Sequence, residues 1–185
     1  MLLPSLQKAR EAGYKISCAN KMKTLGIMIN MYINDNNAFL PPTSSWGGAW
    51  NFGGSPSAGI PAGGIAPYYK VPDYYFIGKN SEMTCPADKR QYDNVYFYKR
   101  PHSYGLNWTV CGQPGNADVD YGPHPLSRYK TRKIVAMENT GDSPASTSVY
   151  GLNPHQFQYY KYQVQQLTLH NKGCNKLWID GAVSW

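Results

Sequence analysis

MLLPSLQKAREAGYKISCANKMKTLGIMINMYINDNN, residues 1–37, is the stretch that decides the fold. Cys18, Met22, Leu25, Ile29 and Tyr32 recur at spacings of four, three, four and three, which places them on one face of a helix. Leu2, Leu6, Ala9, Ala12 or Gly13, and Ile16 are read as extending that stripe backwards. Lys8, Arg10, Glu11, Lys15, Asn20, Lys21 and Lys23 lie mostly off it and face water. Pro4 suits a first helical turn, where its missing N–H would have no partner anyway. Asn34-Asp35-Asn36-Asn37 competes with helix through its side chains, and Pro41-Pro42 follows. At about 1.5 Å per residue the segment is roughly 50 Å long, a spine for so short a chain. Its second half needs a packing partner, and its first half is expected to project.

The remaining sequence supplies that partner. The chain has 185 residues, enough for one domain, read as 1–37 helical spine, 38–82 loop-rich segment and 83–185 antiparallel sheet region. With 18 Gly, 14 Pro and 16 Tyr against 16% charged residues, everything after the spine leans to loops and strands. Gly47-Gly48, Gly53-Gly54 and Gly63-Gly64 break up the segment that carries Trp46, Trp50 and Phe52. Short strands are expected at Tyr74–Ile77, Val95–Tyr98 and Ser103–Trp108, and a helical turn at Ile65–Tyr69. Lys133–Glu138 is the best central strand. Tyr162–His170 alternates as a strand does. Lys176–Ile179, Asp180-Gly181 and Ala182–Trp185 read as strand, turn, strand. The fold class is therefore α+β: a long N-terminal α-helix packed on an antiparallel sheet, with long loops.

Net charge is +7 and pI about 9.2, which permits an anionic partner without requiring one. The basic residues Lys89-Arg90, Lys99-Arg100 and Arg128 to Lys133 interleave with Tyr92, Tyr96, Tyr98 and Tyr129, a pattern that can bind single-stranded nucleic acid but more often marks solvated strand edges. No firm nucleic-acid or small-molecule partner follows. No nucleophile elbow, metalloprotease motif or dinucleotide fingerprint is present, so nothing argues for an enzyme. The four cysteines, Cys18, Cys85, Cys111 and Cys174, form no CxxC pair and no zinc-finger spacing with His. They read as disulfide partners in an oxidising compartment rather than as a structural zinc site, and three pairings are open.

Several islands resemble one family. Leu2-Leu3-Pro4-Ser5-Leu6-Gln7-Lys8-Ala9-Arg10-Glu11, then Ser17-Cys18-Ala19-Asn20, Leu25-Gly26 and Met31-Tyr32-Ile33-Asn34-Asp35-Asn36, resemble the mature helix of bacterial prepilin-type proteins. His170, nine residues, then Asp180-Gly181 resembles the H-x9-DG signature of the processing-associated domain of those proteins. Thr84-Cys85-Pro86, Ser103-Tyr104-Gly105-Leu106-Asn107 and Ile134–Glu138 match further landmarks. The resemblance implies the exported part of a type IV pilin-like or type II secretion pseudopilin-like subunit. It implies partner subunits reached through the N-terminal helix, and an inner-membrane anchor before assembly in the cell envelope. Leu2-Leu3-Pro4 matches the point where the family's apolar helix leaves the bilayer, so the membrane segment is taken as removed. Ala182 stands where the family often has His after Asp-Gly, which argues against a C-terminal histidine pair as a metal site.

The resemblance also favours a Cys18–Cys85 bridge, which leaves Cys111 and Cys174 to pair with each other. His170 and Asp180 would stand at similar heights in a hairpin; the structural reading, a ring that fixes the hairpin, is preferred to a metal ligand or general base. Glu138, at a strand end, is expected to bond loop N–H groups. Asn116, Asp118 and Asp120 alternate hard oxygen ligands in a loop, the spacing of a weak calcium site without the distal Glu of an EF-hand. No other cofactor is implied. Besides the filament-subunit reading, an exported binding module using the Trp/Tyr-rich loops on glycans or proteins, or the basic strands on DNA, accounts for the composition. A hydrolase would need His170, Asp180 and Glu138 to converge.

Overall fold

The computed structural model describes residues 3–41, 65, 68, 85–87, 104–112, 123–138, 170 and 174–185. Helix α1 runs over Leu3–Asp35. It opens with Pro4 in its first turn and ends where the Asn cluster begins. Asn36 donates to Tyr32 O through both its backbone N (3.0 Å) and its Nδ2 (2.8 Å), satisfying a carbonyl that the helix leaves without an internal donor. The chain then turns through two left-handed residues, Asn37 (φ 51°) and Ala38 (φ 62°). Asn tolerates this region; Ala38 is held there by its own N–H on Ile33 O and by Leu126 N–H on its carbonyl.

Four strands form one antiparallel sheet in the order β1-β2-β3-β4: β1 Tyr104–Leu106, β2 Ile134–Glu138, β3 Lys176–Trp178 and β4 Val183–Ser184. The Lys133–Glu138 strand is interior, as its apolar run requires. The predicted strand over Ser103–Trp108 is shorter: Asn107 donates its backbone N–H to Val135 O and its Nδ2 to Ile134 O, and a one-turn helix α2, Trp108–Cys111, begins there. The β3–β4 hairpin closes as the sequence predicts. Gly181 sits at φ 80°, its N–H bonds Trp178 O, and Trp178 N–H bonds Ala182 O. Tyr68 N–H bonds Ile65 O in the expected helical turn, and Tyr68 Oη donates to Asp35 Oδ2 at 3.0 Å. The segments Tyr74–Ile77, Val95–Tyr98 and 162–169, and the aromatic loop with Trp46, Trp50 and Phe52, lie outside the described residues.

The second half of α1 packs on β3 and β4. Cys18, Met22, Leu25, Ile29 and Tyr32 are all buried, so the five-residue stripe is the core face of the helix. They meet Leu40, Ile65, Tyr104, Leu106, Val110, Val135, Ala136 and Leu177 in one apolar cluster. The backward extension of the stripe is corrected by helix geometry. Ile16 precedes Cys18 by two residues, about 200° around the axis, so it starts a different face. Leu6 (60% exposed), Ile16 (62%), Ile27 (59%) and Met31 (45%) share that opposite face. Residues 4–13 are exposed throughout.

The helix approaches the sheet most closely at Gly26. A Cβ there would lie 2.9 Å from Leu177 Cδ1, inside the core, whereas one at Gly13 would meet nothing within 4 Å. Gly26→Val should therefore cost about 1–3 kcal/mol through overpacking. Gly13→Ala should gain up to about 1 kcal/mol from helix propensity alone. Urea midpoints that move the same way in both variants would contradict the close packing of α1 on β3.

Candidate functional site

Where α1 meets the sheet, four distant residues converge. Cys18 lies on the core face of α1, and Cys85 opens a turn continued by Pro86 and Ala87. Glu138 ends β2, and His170 lies in the segment before β3. All four are buried. Cys18 and Cys85 form a disulfide with Cα atoms 5.5 Å apart. His170 Nε2 stands 3.3 Å from Cys85 Sγ and 3.3 Å from Glu138 Oε1. One possible ligand atom from each of the four lies within 4.8 Å of the others.

Asn175 holds the carboxylate in place. Its backbone N–H donates to Glu138 Oε2 at 2.8 Å and its Nδ2 to Oε1 at 2.8 Å. Lys15 O lies 3.5 Å from the same Nδ2, so Asn175 also faces the spine. Of the loop N–H groups expected to bond Glu138, one is in place, that of Asn175, and the Asn175 side chain supplies the other donor. Trp185 completes the enclosure. Its ring centroid lies 5.8 Å from that of His170 with the planes tilted by 52°, and Lys15 Nζ lies 3.3 Å over its centroid.

The expected meeting of His170 and Asp180 does not occur. His170 turns inward to Glu138 and Cys85, while Asp180 is exposed and takes Arg132, whose Nε lies 2.8 Å from Oδ2 and whose Nη2 donates to Oδ1 at 3.3 Å. Asp180 Oδ1 also accepts the Ala182 N–H at 3.0 Å, which caps the hairpin turn. That N–H, with Arg132 adding to it, holds the Asp180 carboxyl below the usual carboxylate range. The reason is position along the chain: Asp180 sits at the tip of the β3–β4 turn, whereas His170 lies before β3 starts. The His170, Asp180 and Glu138 set that a hydrolase would need is therefore not assembled.

The second expected bridge is not formed either. Cys111 and Cys174 are both buried free thiols. Cys111 follows β1 through α2, near the Ile134 end of β2, while Cys174 precedes β3 at the Glu138 end, on the other side of β2. Strands flanking a common neighbour are about 9–10 Å apart, beyond the reach of a disulfide. Burial pushes the Cys111 thiol up to about 12. Burial also raises that of Cys174, against the pull of Lys176. Denatured but unreduced protein should thus take up two equivalents of an alkylating reagent, and native protein almost none. Peptide mapping should place both labels on Cys111 and Cys174.

The calcium candidates Asn116, Asp118 and Asp120 lie outside the described residues. Of the basic run, Arg128, Lys130, Arg132 and Lys133 are exposed and Tyr129 is half-buried. Tyr129 Oη donates to Val110 O at 2.8 Å and lies 2.8 Å from His124 Nδ1, so it is spent on the scaffold. Arg132 stacks on Trp178 as well as pairing with Asp180. Among the described residues no helix is long and apolar enough to cross a membrane.

Residue spacing gave no hint of Asn175, because it acts on Glu138, 37 residues away in sequence. Comparison with protein-family models, with curated proteins and with solved structures finds no match. One long N-terminal helix on a small antiparallel sheet is an arrangement compatible with a pilin-like fold.

Proposed function

We infer that this chain is the exported part of a pilin-like or type II secretion pseudopilin-like subunit, whose role is structural and whose partners are further subunits of the same kind. Before assembly the parent protein is held at the inner membrane, and its globular part lies on the outer side of that membrane. One observation carries the reading. The spine has two apolar faces, and only one of them is used: Cys18 to Tyr32 enter the core, while Leu6, Ile16, Ile27 and Met31 face away from the sheet. A monomer gains nothing from the second face, and a bundle of parallel helices buries it. The fully exposed segment 4–13 fits the same role, because the sheet packs on the second half of the helix and leaves this end uncovered. The disulfide adds support, since such bonds persist in oxidising compartments.

The test is the double variant Ile27→Asp/Met31→Asp in the full-length protein, expressed in a bacterial envelope. Both residues are exposed in the subunit, so each substitution should change its stability by no more than about 0.5 kcal/mol. Two buried carboxylates per subunit should abolish assembly, read as loss of high-molecular-weight species after chemical cross-linking. Assembly at the parental level would sink the reading.

A further inference from the structure

The four residues around the Cys18–Cys85 bridge do more than a structural disulfide needs. A bridge requires two sulfurs, yet His170 Nε2 and Glu138 Oε1 are brought to it as well, both buried. We propose that reduction of the Cys18–Cys85 disulfide turns this cluster into a closed zinc site, ligated by the Cys18 and Cys85 thiolates, His170 Nε2 and a Glu138 carboxylate oxygen.

Distances carry the argument first. Zinc binds sulfur at about 2.3 Å and nitrogen or oxygen at about 2.0–2.2 Å, so tetrahedral ligands stand roughly 3.3–3.8 Å from one another. His170 Nε2 is already 3.3 Å from Cys85 Sγ and 3.3 Å from Glu138 Oε1, and the whole ligand set spans 4.8 Å. Opening the S–S bond lets the two sulfurs separate towards that spacing. The donor set comes second. Two thiolates, an imidazole and a carboxylate in a tetrahedral cluster suit zinc, which also has no redox chemistry of its own to reoxidise the thiols. The supporting contacts come third. Asn175 fixes both oxygens of Glu138, as residues behind a metal ligand commonly do, and Trp185 with Lys15 above it shuts the His170 side. Lys15 also offers a positive charge near a site whose zinc, two thiolates and carboxylate sum to one negative charge.

The chemistry balances. A dithiol reductant gives two electrons and two protons to the bridge and becomes a disulfide itself. The two thiols formed release their protons to solvent as the Zn–S bonds form. Ligation through Nε2 uses the neutral imidazole tautomer whose proton is on Nδ1. Four protein ligands leave no open position, so the site is structural: it holds the spine on the sheet under reducing conditions, as the disulfide does under oxidising ones. The inference stands apart from the filament reading and survives its failure.

The test is a titration of the dithiol-reduced chain with Co²⁺ alone, followed by Zn²⁺. One equivalent of Co²⁺ should bind and give a thiolate-to-cobalt charge-transfer band, and one equivalent of Zn²⁺ should abolish it. Zn²⁺ should raise the Tm of reduced protein and leave that of oxidised protein unchanged. If the reduced apo-protein is unfolded, Zn²⁺ should instead restore its helical circular dichroism, since binding and folding are then one equilibrium. His170→Gln and Glu138→Gln should each weaken Co²⁺ by at least tenfold. Cys18→Ser/Cys85→Ser should remove the band although Cys111 and Cys174 remain. No band in the reduced wild type, an equal band in the oxidised protein, or a wild-type titration in both His170→Gln and Cys18→Ser/Cys85→Ser would overturn the proposal.

Discussion

Opening the Cys18–Cys85 bridge in the presence of a chelator should lower the stability of the chain by about 4 kcal/mol. The two cysteines are 67 residues apart, and the chain-entropy relation for a loop of that length gives about this figure. The effect is large against the whole stability of a domain this size, about 5–15 kcal/mol. It acts mainly on the unfolded chain, which regains the freedom of a long loop rich in Gly and Ser. The native contacts of Met22, Leu25 and Ile29 stay in place, so the reduced protein should keep its fold where other stability suffices. Urea denaturation with and without a dithiol reductant measures the difference, and Cys18→Ala/Cys85→Ala should reproduce it. A loss below about 1 kcal/mol would mean that the unfolded chain is already held compact by other means, and that the bridge adds little.

Glu138→Ala should be nearly as damaging, at about 3–5 kcal/mol. The carboxylate is buried, accepts from Asn175 N–H and Asn175 Nδ2, and stands 3.3 Å from His170 Nε2. Its removal strands the Asn175 donors and His170 in a buried site, and a buried partner left alone costs more than the interaction was worth. Replacing both partners should cost less than the sum of the single changes: in a Glu138→Leu and His170→Phe cycle, the double variant should recover at least about 1 kcal/mol of the added losses. Asp180→Asn supplies the contrast. Asp180 is exposed, so its loss frees only a turn N–H and an arginine that water can satisfy, and the midpoint should move far less. Additive losses at Glu138 and His170 would show that the two do not interact across the observed 3.3 Å.

How much of this was legible beforehand depends on sequence distance. The core face of α1, the interior position of β2 and the Asp180-Gly181 hairpin turn were all readable, because each is set by neighbours within a few residues. A period of 3.6 fixes a helical face, and an apolar run bounded by polar residues fixes an interior strand. The stripe misread at Leu6 to Ile16 shows the limit of the same rule. Apolar residues there recur at helical spacing, but a two-residue slip at Ile16 moves them to the opposite side, and only an absolute angle reveals it. The left-handed residues Asn37 and Ala38 were half legible: Asn announces such a turn, and Ala does not.

Local spacing and turn chemistry were enough to specify an α+β chain with a helical spine whose core face runs from Cys18 to Tyr32, a hairpin end and a cysteine on that face. Tertiary structure decided everything that joins distant residues. It paired Cys18 with Cys85 and left Cys111 and Cys174 as thiols, because β2 stands between their strands. It sent His170 to Glu138 instead of Asp180, and recruited Asn175 to hold that carboxylate. Residues 18, 85, 138 and 170 carry no mutual spacing that a reader could recognise. Their meeting is set by how a helix docks on a sheet, through packing that involves the whole core at once.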